Sequence, residues 1–100
     1  MDEAKKYKLI DLIEDIKEVD AMIKLHTNDT SALMLDQYKY KKDKLVGYLI
    51  DELVDPEFRS VKSMFLIKTL IEKFYPDLKK DAQADINHSD LNELEALLVA

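Results

Sequence analysis

His26 and His88 are the only imidazoles in a 100-residue chain that has no cysteine, so thiolate chemistry is excluded and any imidazole ligand or base must be one of these two. A di-iron centre in a helical bundle needs two Glu-x-x-His elements on inward faces. The nearest pattern is a single Asp85-x-x-His88 in a polar stretch. His26 falls where a helix should end and suits the negative pole of its dipole. Asp81, Gln83, Asp85, Asn87 and Ser89 occupy positions 1, 3, 5, 7 and 9 of a calcium-loop pattern. That loop also needs glycine at position 6 and a bidentate glutamate at position 12, where this chain has Ile86 and Asn92. No metal site and no cofactor are expected.

Carboxylate pairs occur at Glu14/Asp15, Asp51/Glu52 and Asp81/Asp85. Helical surfaces supply such pairs by composition, and acid–base catalysis needs them in a pocket with separated pKa values. There is no glycine-rich phosphate loop and no nucleophile elbow. The chain is therefore read as a non-enzyme with no catalytic residues. The run Tyr38-Lys39-Tyr40-Lys41-Lys42-Asp43-Lys44 mixes basic and aromatic residues as nucleic-acid surfaces do. Helical geometry scatters Lys39, Lys41 and Lys44 around the axis, however, and turns Lys42 toward an apolar seam. At that seam Lys42 should either snorkel to water or pair with Asp15 or Asp20 and so set register.

The elements that position these residues follow from periodicity. Leu9, Leu12, Ile16, Val19 and Ile23 form one heptad-spaced stripe, and Met34, Tyr38, Leu45, Leu49 and Leu53 form another. Thr27-Asn28-Asp29-Thr30-Ser31 separates them. Two helices joined by so short a polar break should fold back as an antiparallel hairpin over 1–54, each burying its stripe on the other. Asp2 and Glu3 suit the start of the first helix, and Asp29 or Thr30 can cap the second. Symmetric folding would bring Tyr38 near Val19, Leu45 near Leu12 and Leu49 near Leu9. Gly47, the only glycine, lies inside the second helix, where it either admits a close neighbour or is simply tolerated.

Asp55-Pro56-Glu57 reads as a cap, a first-turn proline and an acidic first-turn residue, predicting a central helix over 55–76 that stops before Pro76. Apolar residues from Phe58 to Phe74 surround most of it, leaving a polar strip of Lys62, Thr69 and Lys73. A helix apolar on most sides must be covered on more than one side. The acidic segment 77–100 is the part expected to be mobile. It holds a short helix near 78–85 and a Ser89-capped amphipathic helix carrying Leu91, Leu94, Leu97 and Leu98.

The fold class expected is thus all-α: a helical hairpin, a third long helix and a short C-terminal helix in one domain of 1–100. Forty-seven per cent hydrophobic residues, one glycine and two prolines argue against both disorder and an all-β fold. The net charge of −6 is divided as −3 over 1–29, −1 over 30–55, +2 over 56–76 and −4 over 77–100. A globally acidic chain is repelled by phosphate backbones and by anionic membranes, so neither is an expected partner. The first residues lack a secretory pattern and no apolar run approaches a membrane span, which with the absence of cysteine suggests a cytoplasmic protein.

The leading functional expectation is a noncatalytic protein–protein interaction domain that self-associates, as a symmetric dimer, or binds a protein partner. Phe65 and Leu66, on different sides of the third helix, are the candidate interaction residues. The alternative is an acidic inhibitor or immunity-type protein that neutralises a basic effector through residues such as Asp81, Asp85 and Glu93. Nucleic-acid binding through Lys39, Lys41 and Lys44 is the third.

Overall fold

The computed structural model describes residues 2–27, 32–84 and 89–100, with backbone alone for residues 83, 84 and 89. Among these the regular structure is entirely helical: α1 Glu3–His26, α2 Ala32–Leu53, α3 Val61–Phe74, α4 Leu78–Ala84 and α5 Ser89–Val99. Met1–Thr69 and Leu70–Ala100 form two compact units, with the boundary inside α3. The fold is all-α, as the apolar periodicity requires. The expected caps Asp29 and Thr30 lie outside the described residues, as do Asp85, Asn87 and His88 of the calcium-like pattern.

The helix ends show why the chain folds locally as it does. Asp2 accepts a hydrogen bond from the Ala4 amide at 2.8 Å, which satisfies one of the donors left open at the start of α1. At the other end Thr27 donates its hydroxyl to the Ile23 carbonyl at 2.6 Å. The helix over 55–76 begins six residues later than Asp55. The Asp55 carbonyl accepts from the Phe58 and Arg59 amides at 2.8 Å, and its carboxylate accepts from Glu57. That is a single turn closed on itself. Ser60 and Ser63 then make a reciprocal capping box: each hydroxyl accepts the other's amide, at 3.1 and 2.8 Å. The capping box starts α3 where the proline turn stops.

The hairpin is held by an apolar seam, by an aromatic stack and by ion-pair ties. Leu9, Ile16 and Val19 of α1 and Val46, Leu49 and Leu53 of α2 are buried, and Ile16 is completely so. Near the turn, His26 stacks on Tyr38 with centroids 5.7 Å apart and planes 18° from parallel. Midway, Asp20 bridges Lys42 at 3.0 Å and Lys24 at 3.2 Å. At the open end, Glu52 binds Lys5 at 3.0 Å and Lys8 at 2.8 Å. The order of these ties along the two helices makes the pair antiparallel.

Toward the turn they also shift the register, whereas at the open end the ion pairs of Glu52 with Lys5 and Lys8 keep to the expected one. Tyr38 meets the last residue of α1 rather than a residue about two turns earlier. Lys42 selects Asp20, not Asp15, as its partner. The residues of α2 before Tyr38 therefore extend beyond the end of α1, which is why Met34 stays exposed although it continues the heptad. Val46 takes a buried place in the seam that the Leu45-centred stripe did not assign to it.

A Cβ built on Gly47 meets nothing within 4 Å, and its φ is ordinary for any L-residue. The glycine thus answers to no close neighbour among the described residues. Gly47→Ala is expected to stabilise the fold by about 1 kcal/mol, through helix propensity and a less flexible unfolded chain. Thermal unfolding should show the midpoint rising by roughly 4–8 °C; an unchanged midpoint would refute this account of Gly47.

Candidate interaction surface

The capping box orients α3 around a buried stripe. Ser63, Leu70 and Phe74 are buried, and Ile67 and Ile71 are half-buried. At 100° per residue, Phe65 falls on the side of α3 facing away from that stripe, and Leu66 on one edge of it. Phe65 is 55% exposed and Leu66 42%. Val61, at 90%, and Met64, at 52%, share the Phe65 flank. Three large apolar side chains at i, i+3 and i+4 thus stand in water on one side, with one leucine at the edge of the buried stripe. The Lys62 ammonium lies 5.2 Å from the Phe65 ring centroid, so the patch is edged by positive charge. The expected polar strip of Lys62, Thr69 and Lys73 is exposed, and Thr69 donates its hydroxyl to the Phe65 carbonyl at 3.0 Å.

A second unpartnered stripe lies on α5. Leu91, Leu94 and Leu98 repeat at i, i+3 and i+7, and even the least exposed, Leu94, is 54% accessible. Asp90 and Glu95 flank this stripe by helical angle, and both are exposed. A free helix of 11 residues is marginal in water. Its leucines gain most by being covered.

The other candidate features sort differently. A shallow cleft of about 290 Å³ is lined by Lys8, Leu12, Tyr48, Asp51 and Glu52. It therefore contains one of the carboxylate pairs singled out above. Hydrogen bonds from Lys8 and Lys5 hold the Glu52 carboxyl below its ordinary value. A carboxylate stabilised as an anion is poorly suited to give up a proton at neutral pH. The Lys5 ammonium also sits 3.9 Å over the Phe58 ring, so this corner fastens the 55–59 turn to the hairpin. Lys39, Lys41 and Lys44 are exposed, and Lys42 is drawn inward by Asp20. Glu14 and Asp15 are exposed on α1. Among the described residues no group of three or more His, Cys, Asp or Glu is placed to hold a metal ion, and no helix is long and apolar enough to cross a membrane.

These ion pairs carry a pH dependence of definite sign. Burial alone would raise the Asp20 pKa, but the hydrogen bonds and charges of Lys42 and Lys24 outweigh it and hold the carboxyl below 3.8. Glu52 is shifted in the same direction from 4.5. Between each lowered folded value and the ordinary one, the unfolded chain binds more protons, so stability rises with pH. The contribution is complete above about pH 5 and is lost as pH falls below the ordinary carboxylate range. Denaturation midpoints across pH 2.5–6 should show this loss, and Asp20→Asn should flatten part of the slope. An Asp20→Asn curve parallel to the wild type would refute the assignment.

Neither family models, nor curated proteins, nor solved structures provide a match to this chain.

Proposed function

We propose that this protein is a noncatalytic protein–protein interaction domain that associates with a second copy of itself through the Val61/Met64/Phe65 flank of α3. The observation that carries this reading is the exposure of three large apolar side chains on consecutive turns of one helix, on a flank separate from the stripe that helix buries. Single exposed apolar residues are ordinary, but a contiguous patch edged by charge marks an interface. Two-fold association covers the equivalent patch on both copies.

Light scattering over a range of concentrations should give the mass of a dimer. Phe65→Glu should return it to a monomer with its helix content intact, because the side chain is not part of the chain's own core. Leu66→Glu, about 100° around the helix and at the edge of the buried stripe, should shift the assembly less. A wild-type monomer at every concentration, or a dimer indifferent to Phe65→Glu, would overturn the proposal.

The acidic-inhibitor reading is supported by the charge of −4 over 77–100 and by the exposure of Asp81 and Glu93. It requires capture of a basic protein with an on-rate that falls steeply with salt. A salt-independent association would count against it.

A further inference from the structure

We infer that the occupant of the Phe65 flank is helix α5 of the second copy, exchanged reciprocally so that each chain gives one α5 and receives one. The inference rests on the self-association proposed above and names the surface that completes it.

Three observations carry it. The first is shape. Val61, Met64 and Phe65 on α3, continued by Lys68, fill positions i, i+3, i+4 and i+7, and Leu91, Leu94 and Leu98 on α5 fill i, i+3 and i+7. Each face is therefore about two turns, or roughly 10 Å, long. The second is exposure: both faces belong to one chain, and all six of these apolar side chains are more than half exposed. The third is charge. Segment 56–76 carries +2 and segment 77–100 carries −4. The α3 face is edged by Lys62 and the α5 stripe by Asp90 and Glu95, so docking brings opposite charges to the rim of an apolar contact. A donor and an acceptor on the same chain close under two-fold symmetry and leave neither face over.

A chain without cysteine makes the test clean. Phe65→Cys and Leu94→Cys variants, each confirmed helical by circular dichroism, are mixed in equal amounts and oxidised gently. The expected result is a mixed disulfide dimer well in excess of the half that random pairing would give. Leu66→Cys in place of Phe65→Cys should give no such excess, since its flank faces elsewhere. The double variant Phe65→Cys/Leu94→Cys should oxidise to a covalent dimer.

Oxidation of the double variant to an intramolecularly bridged monomer would overturn the inference and seat α5 on its own chain. A wild-type dimer that dissociates with Phe65→Glu yet yields only random disulfide pairing would leave self-association standing and overturn the α5 exchange alone. A wild-type monomer at all concentrations would remove both.

Discussion

Asp20→Ala is expected to destabilise the protein by about 3 kcal/mol, a large share of what a domain of this size has. The carboxylate faces the Lys42 ammonium at 3.0 Å across the hairpin seam, and only about a tenth of either side chain is accessible. Removing it takes the Asp20 partner from a largely covered lysine charge beside a seam that holds Val46 and Leu49. The pair as a whole contributes much less than this, because desolvating two charges offsets most of their attraction. Replacing both partners together, Asp20→Leu with Lys42→Leu, should therefore recover most of the lost stability. Lys24 binds the same carboxylate from an exposed position, 76% accessible, and Lys24→Ala should cost no more than about 0.5 kcal/mol. Urea midpoints at fixed protein concentration measure all three variants. A cost below about 1 kcal/mol for Asp20→Ala would mean that the ion pair sits in effectively wet surroundings.

Ile16→Ala should cost about 4 kcal/mol, which is in the upper part of the range for truncating a buried aliphatic side chain. Ile16 is the one large side chain in the described core with no accessible surface, placed between the Asp20 tie and the open end of the hairpin. Close-packed neighbours collapse only partly into such a void, so a cavity term adds to the lost transfer energy. Ile16→Val should cost only about 1 kcal/mol. Ile10 is 39% exposed on the same helix, and Ile10→Ala should cost clearly less than Ile16→Ala. If the two alanine variants unfolded at the same urea concentration, the seam would not be the core that supports the hairpin.

The interaction surface and the core make opposite demands on variants, and this keeps them separable. Glutamate at Phe65 is expected to change mass and leave the fold, whereas alanine at Ile16 is expected to lower stability first. The pH dependence separates a third contribution, since the ties through Asp20 and Glu52 weaken only in acid. Gly47→Ala acts through the unfolded chain and leaves every contact unchanged.

The helices of the hairpin were legible in the sequence because apolar periodicity is a local signal. The bounds of α1 follow from Asp2 at one end and the basic Lys24 and His26 at the other. Phe65 and Leu66 became candidates for the same reason: α3 carries more apolar residues than one buried stripe can use, and both side chains are exposed. The beginning of α3 was misleading. Asp55-Pro56-Glu57 has the composition of a helix start, but its carbonyl and carboxylate close one isolated turn. The Ser60/Ser63 box three residues on is a usable local signal that lacked the expected glutamate or glutamine.

By itself the sequence determined that this chain is helical, that its first two helices pair, and that a lysine at a seam position must either reach water or find an acidic partner. Each of these follows from spacing along one chain and from the cost of leaving a polar group unpaired. Tertiary structure alone decided the register, because Lys42 had Asp15 and Asp20 within reach and only the docked helices could choose between them. It also decided which apolar residues of α3 are core and which are surface. Periodicity gives the angle of a side chain around its own helix, whereas burial depends on where the neighbouring helices lie.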